Sequence, residues 1–494
     1  MDHCAATIIS IEEKIRDEMK EKECEEKVTT ASISSLTKSE LEKTVISEET
    51  IETGSEDQAS VPPALHLSKA RKNLIVFILA VSVFLAPMSS ICLLPAIGTI
   101  AEYFHCTRQT INLTISVYEI MMAVSPCLLN PLCNIFGRRI MFLSFLTGFL
   151  IASIITCVSS NLIMFFIFRG LTALFGTTFF GVSALIIGDL FVPTERGTAQ
   201  GWTLLGCMIG TPIGPVIGGL IVTYSSNWKW IIWIQVFLIF FEIVLVWFFI
   251  PETMSARTKE ELKVSKYNPF STLICFKYKN MILAGVLASS ISYACSSMLL
   301  PISVVMNPRF NLTTPLLSSL FYLPVGFGYI CGASFGGRYA DYTVKRYIKK
   351  RGYRLAEDRL YSIIIGYVFI LPITNLVYGW CIEKRKGGVV VPVLMLFLNG
   401  VGQTLCFSSS NTYCIDCMPA ELKSDSIGGN YFIRFVFSAV GAATVLLQIE
   451  HIGVGWTSTI NACFFAVGSV CLFLLIAYGK NFRPRGETEE EEEE

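Results

Sequence analysis

Residues 210–219 read Gly210-Thr211-Pro212-Ile213-Gly214-Pro215-Val216-Ile217-Gly218-Gly219 and lie inside a long apolar run. Neither a soluble core helix nor a plain lipid-facing anchor is built this way. Gly214, Gly218 and Gly219 fall on one helical stripe, where absent side chains let a second helix approach closely. Pro212 and Pro215 each remove a backbone donor, which hydrocarbon tolerates only where neighbouring groups compensate. The stretch predicts a bent, glycine-faced spanning helix at a moving contact between two halves of the protein. Ordinary tight helix packing is the plainer alternative.

Composition agrees with a membrane setting. Of 494 residues, 52% are hydrophobic and 16% charged, which points to an all-α polytopic membrane protein in contact with the lipid bilayer. The formal net charge is 0, so no global field invites nucleic acid, and none is expected as a partner. The 17 cysteines are scattered and read as small hydrophobes rather than a disulfide framework. Cys414 and Cys417 form a C-x-x-C, but no second pair or nearby histidine completes it. The 4 histidines (His3, His66, His105, His451) are dispersed, and no metal site is expected. No nucleophile–base pair emerges, so an enzyme is not expected. No G-x-x-x-x-G-K-[ST] is present, so no ATP site or other cofactor is expected.

Residues 1–70 are rich in Glu, Lys, Ser and Thr, and read as a disordered tail without the apolar core of a signal peptide. About twelve spans of roughly 20 residues follow. They lie near 73–97, 110–133, 138–158, 162–189, 197–223 and 229–251, then 279–304, 314–340, 358–381, 389–415, 424–448 and 454–479. The linker 252–278 divides them into bundles at 71–251 and 279–480, and 481–494 is an acidic tail. Lys69, Arg71, Lys72, Arg138, Arg139, Arg196, the linker and the run from Lys345 to Arg354 fall on one side of the membrane. Arg108, Lys229, Arg309 and one exception, Lys384-Arg385-Lys386, fall on the other. The excess of basic residues places both termini in the cytoplasm. Asn311-Leu312-Thr313 then faces outside as a glycosylation candidate.

The halves echo one another. Gly337-Arg338-Tyr339-Ala340-Asp341 ends the eighth span as Asn130-Pro131-Leu132-Cys133-Asn134 ends the second, and Asp416 ends the tenth as Asp189 ends the fourth. Such repeats suit a transporter plan.

From about residue 73 to 480 the pattern resembles the major facilitator superfamily, in particular its twelve-span drug:proton antiporters of fungal type. Residues Gly210, Gly214, Pro215, Gly218 and Gly219 resemble the antiporter signature G-x-x-x-G-P-x-x-G-G of span five. Asn134-Ile135-Phe136-Gly137-Arg138-Arg139 is similar to the family's loop between spans two and three. Arg169-Gly170-Leu171-Thr172 is similar to its fourth-span arginine motif, and Asp189 with Glu195-Arg196-Gly197 to the loop after it. Pro251-Glu252-Thr253, Glu357-Asp358-Arg359-Leu360 and the pair Asn430 and Arg434 resemble further family features. The resemblance implies two pseudo-symmetric six-helix bundles, alternating access and a small organic substrate moved in exchange for protons. It also implies a monomer in the plasma membrane. A facilitator, a proton symporter or a transporter-like receptor remain alternatives.

The chain departs from the family where Asn130, Asn134 and Ile135 replace the usual glycine, aspartate and base, and where Thr172 stands for glutamine. Asn134 supplies no charge to a helix dipole. A weaker first-half latch follows, with more of the work left to Asp341 in the second half, where Gly337 belongs to the matching stretch.

Charges inside the spans mark the remaining candidates. Arg169 lies roughly 10 Å below the outer edge of span four at 1.5 Å per residue, and needs a partner or a watery cavity. Glu119 in span two reaches a similar depth and is the expected partner and proton carrier, unless the two form a permanent structural pair. Glu242 in span six is the second candidate carboxylate. Cargo candidates on the spans that line the family's cavity are Ser89, Ser90, Tyr293, Tyr322, Asn399, Gln403, Asn430 and Arg434. A largely apolar cavity with a few polar anchors suits amphiphilic organic molecules.

Overall fold

A computed structural model describes residues 67–482 except 192, 226, 254–270, 307–309, 311–313, 354 and 419–422. Nearly all of the expected N-terminal tail and the tail beyond 482, most of the linker and the sequon at Asn311 lie outside the described residues. So do the side chains of Asn134, Glu195 and Arg196.

The described residues form helices and no strand. In chain order the long ones are α1 (Lys69–Ile91), α2 (Arg108–Phe136), α3 (Arg138–Val158), α4 (Leu162–Leu190) and α5 (Pro193–Tyr224). They continue as α6 (Lys229–Phe249), α7 (Lys279–Pro301), α8 (Pro315–Arg351), α9 (Ala356–Lys384) and α10 (Val390–Asp416). Eleven helical stretches are long and apolar enough to cross a bilayer, the last being the 55-residue run Gly428–Phe482. At 1.5 Å per residue that run would extend roughly 80 Å, against about 30 Å of hydrocarbon. Gly453 divides it, with φ 83° and ψ 169°. The Val454 amide there donates to Glu383 Oε2 at 2.9 Å, so a carboxylate caps a fresh helix N-terminus. The two parts, α11 (423–452) and α12 (454–478), complete twelve spans.

Two helices differ from the sequence expectation for local reasons. Helix α8 runs past 340 to Arg351, where Lys349, Lys350 and Arg351 fill its last turn and Gly352 ends it at φ 96°. Basic side chains favour that helix end, and the left-handed glycine closes it. In α9 a π-helical segment, Ile365–Ile370, precedes Pro372, absorbing the missing proline donor.

Apolar packing is distributed unequally along the bundle. At the end of the bundle away from Lys69 and Tyr478, where its first helix starts and its last one stops, one buried cluster joins both halves, with Cys92, Ile111, Ile221 and Trp228 against Met298, Leu300, Phe321 and Tyr378. Towards the terminus end the cores separate. One holds Leu79, Phe145, Phe179 and Ile187 of the first half, the other Met281, Leu360, Tyr367 and Leu475 of the second. Phe237, Phe240, Phe248, Phe335 and Val470 are exposed, as expected where lipid, rather than water, is the solvent.

The glycine-rich stretch lies on α5, which remains helical through Pro212 and Pro215. Its neighbours differ from the expectation. A Cβ added at Gly206, Gly210, Gly214 or Gly218 would run into the carbonyl oxygen of Ala80, Phe84, Met88 or Cys92 in turn. Four-residue steps on both helices thus bring the backbones of α1 and α5 together within the first half. The second half is met instead by other residues of α5. Gly219 packs on Ser319 and Pro315, and Pro212 fills the space beside Gly326.

Candidate substrate and proton site

Between the halves lies a cavity of about 320 Å³. Its walls come from α1, α2, α4, α5, α7, α8, α10 and α11, and among the described residues none from α3, α6, α9 or α12 lines it. The lining is mostly apolar, with Pro87, Ile91, Met122, Phe180, Met208, Leu299 and Phe435 among it. Among the described residues, Glu119 and Arg434 are its only charged lining residues.

Each charged group is positioned by its helix. On α2, Glu119 accepts a hydrogen bond from Ser90 Oγ at 3.3 Å. Two residues of α11 also act on its carboxylate: Ser438 by a side-chain hydrogen bond and Arg434 by its charge. Arg434 sits among aromatic faces, 4.1 Å from the Phe407 ring centre, 5.2 Å from Phe435 and 5.5 Å from Tyr431. Such faces attract a guanidinium through their quadrupoles.

Arg169 does not take Glu119 as its ionic partner. It is buried on α4, where Nη2 donates to the carbonyls of Ser89 and Ser90, the latter at 2.9 Å, and Nη1 to Ser89 Oγ at 3.2 Å. Its guanidinium also lies 4.6 Å from the Tyr118 ring centre. These carbonyls belong to the last turn of α1, before the 3₁₀ turn Leu94–Ala96. Helix ends leave carbonyls without intrahelical partners, and the guanidinium supplies donors there. Ser90 therefore stands between the two charges, its carbonyl turned to Arg169 and its hydroxyl to Glu119.

Glu242 lies off the cavity. It is fully buried on α6 and accepts a hydrogen bond from Ser82 of α1 through Oε1. Its Oε2 has no hydrogen-bond partner among the described residues.

At the terminus end, the two halves repeat one ion pair. Arg138 at the start of α3 meets Asp189 at the end of α4, at 3.2 Å. Arg359 at the start of α9 meets Asp416 at the end of α10, at 3.4 Å. Asp189 also accepts from Thr253 at 2.9 Å, and the Arg138 amide donates to Glu252 at 3.0 Å. Gly137 has φ 102°, and a Cβ there would lie 2.8 Å from Glu252 Oε2. Arg139 donates to the Trp247 carbonyl. Each pair stays inside its own half. In this arrangement Asp341 is exposed and Gly337 faces open space.

The halves are instead hydrogen-bonded at the far end. Among the described residues, Gln109 donates to Ala443 O at 3.1 Å, Asn112 to Ala442 O at 2.6 Å, and the Leu316 amide to Thr223 Oγ1 at 3.1 Å. With the joined far-end core and the separated terminus-end cores, this describes a bundle closed at the far end.

The sequence profile of the Major Facilitator Superfamily matches residues 79–442. The chain belongs to that superfamily. The efflux pump radE of Floropilus chiversii is 24% identical over 437 residues, covering 83% of this chain and 80% of radE. The MFS antiporter QDR3 of Candida albicans is 22% identical over 552 residues, covering 83% and 78%. A crystal structure of a D-xylose–proton symporter superposes with a TM-score of 0.63 at 13% identity, over 83% of this chain and 98% of that one.

Within this superfamily frame, the cargo candidates fall into two groups. Ser90, Gln403 and Arg434 line the cavity. Ser89 holds Arg169, while Tyr293 bonds Gln448 at 3.2 Å and Tyr322 bonds the Leu299 carbonyl at 3.1 Å. Asn399 bonds Thr374 at 3.0 Å, and Asn430 bonds Asn411 at 2.7 Å. These five have protein partners and are absent from the lining, though Asn430 Oδ1 has no hydrogen-bond partner among the described residues. Sequence reasoning missed Tyr329, Asn411, Tyr431 and Ser438, which do line it. Helical spacing held the signal for two of them: Tyr431 and Ser438 lie three and four residues from Arg434, on its face.

Proposed function

We propose that this transporter is a proton-coupled antiporter that exports amphiphilic organic solutes by alternating access. Glu119 carries the reading. Its carboxylate is in the central cavity, bonded to α1 of one half and acted on by Arg434 and Ser438 of the other. Moving the halves apart changes its surroundings, so gain or loss of a proton there is linked to which side the cavity faces. The efflux and antiport named for radE and QDR3 support the outward direction for cargo. The proton gradient supplies the energy without a cofactor, and one chain builds the whole cavity, so a monomer suffices. A plasma-membrane location with both termini cytoplasmic fits this direction and the distribution of basic residues.

The test uses everted vesicles and a panel of fluorescent amphiphiles. Wild-type vesicles with an acidic lumen should accumulate at least one dye uphill, and Glu119→Gln should abolish that accumulation while leaving the protein folded. Uphill accumulation by the variant, or accumulation only with an alkaline lumen, would overturn the proposal.

A further inference from the structure

Among the described residues the cavity presents one carboxylate and one guanidinium, which feel each other's charge but form no ion pair. Among the described residues no ion pair joins Glu119 to Arg434, and no hydrogen-bond acceptor is found for Arg434. Its partners are the faces of Phe407, Tyr431 and Phe435, which leave the planar edge of N–H donors unused. A guanidinium edge of this kind is suited to a carboxylate, which it binds through two parallel hydrogen bonds. Glu119 accepts from Ser90 through Oε1 and is hydrogen-bonded by Ser438; a carboxylate has about four lone-pair sites, so acceptor capacity is left for a cation.

Charge balance then selects the ligand. A cationic solute placed at Glu119 would face the repulsion of Arg434, and an anionic one at Arg434 that of Glu119. Either would also leave a net charge inside a low-dielectric bundle, where such a charge is costly. A molecule with both charges satisfies both groups and leaves the site neutral. The remaining walls are apolar or weakly polar, and about 320 Å³ lies at the small end of ligand pockets, about 300–1,000 Å³.

We infer that the cargo is a small zwitterion with an apolar or aromatic body, its ammonium on Glu119 and its carboxylate on Arg434. An amino acid or close derivative has this chemistry. The inference rests on reading the cavity as the cargo site, and not on the proton step.

The experiment measures binding without a gradient, by equilibrium dialysis on the purified full chain in nanodiscs. Probes are a panel of aliphatic and aromatic amino acids, each with its amide (cation) and its N-acetyl form (anion). Wild type should bind at least one free amino acid about tenfold or more tighter than either of its derivatives, the scale of one hydrogen-bonded charge. Glu119→Gln should move the preference to the N-acetyl form, and Arg434→Gln to the amide. Opposite shifts in the two variants are not expected of misfolding, which would weaken all probes together. The inference is overturned if no amino acid binds to wild type, if a derivative binds as tightly as its parent, or if both variants change all probes alike. Because no gradient is applied, these outcomes are independent of whether proton-driven exchange is found.

Discussion

Replacing Gly214 with alanine should loosen α1 from α5, and the cost follows from the contact. The added Cβ would lie 2.8 Å from the Met88 carbonyl oxygen and 3.3 Å from its Cα. Carbon–oxygen contacts between close backbones settle at about 3.3–3.6 Å, so the overlap is roughly half an ångström. The obstructing atoms are backbone and cannot rotate aside as a side chain could. Forcing such an overlap costs about 1–3 kcal/mol. Alanine also gains about 1 kcal/mol over glycine in a helix interior, which obscures a single measurement. Gly201, on the same helix, has no heavy atom within 4 Å of an added Cβ and provides the control. Gly201→Ala receives the helix gain without the overlap, so the two variants should differ by about 1–3 kcal/mol, with Gly214→Ala the less stable. Graded SDS unfolding of the purified protein, followed by tryptophan fluorescence, reads that difference. Equal stability of the two alanine variants would refute the close-contact reasoning.

Two further outcomes follow from the buried charges. Glu242→Gln should retain proton-driven uphill transport in vesicles, because Glu242 lies off the cavity; Ser82→Ala should lower stability by about 1–3 kcal/mol, and by less in the Glu242→Gln background. Arg169→Lys should lose about 1.5–3 kcal/mol of stability in the same unfolding assay, since a point charge cannot serve Ser89 and Ser90 with the fork of a guanidinium.

The spans were legible in the sequence because twenty apolar residues in a row have few other physical solutions. The ion pairs at Asp189 and Asp416 were half legible: their echo could be seen, whereas the shared pairing to Arg138 and Arg359 depends on how neighbouring helices end. Arg169 was misjudged because two of its acceptors are main-chain carbonyls, which every residue carries and no sequence pattern marks. The cargo residues divide for a related reason. Polarity in a span says that Asn399, Asn430 or Tyr293 needs a partner, but not whether protein or ligand supplies it. In each of these cases the protein does.

The glycine stripe shows how helix geometry overrides proximity in sequence. Gly218 and Gly219 are adjacent and therefore about 100° apart around the helix axis, so the two cannot serve the same neighbour equally. Gly218 joins Gly206, Gly210 and Gly214 against α1, while Gly219 turns with Pro212 to α8. This separation constrains any rocking of the halves. Carbonyl oxygens of α1 fit the glycine gaps of α5 over three four-residue steps, and sliding one helix along the other would drive those oxygens into neighbouring side chains. The two helices must therefore travel together. Any such motion would fall to the contact of α5 with α8, where Pro212 meets Gly326 and Gly219 meets Ser319. In a rocking exchange the signature would then have two mechanical roles on one helix, a fixed seam towards α1 and a yielding one towards α8.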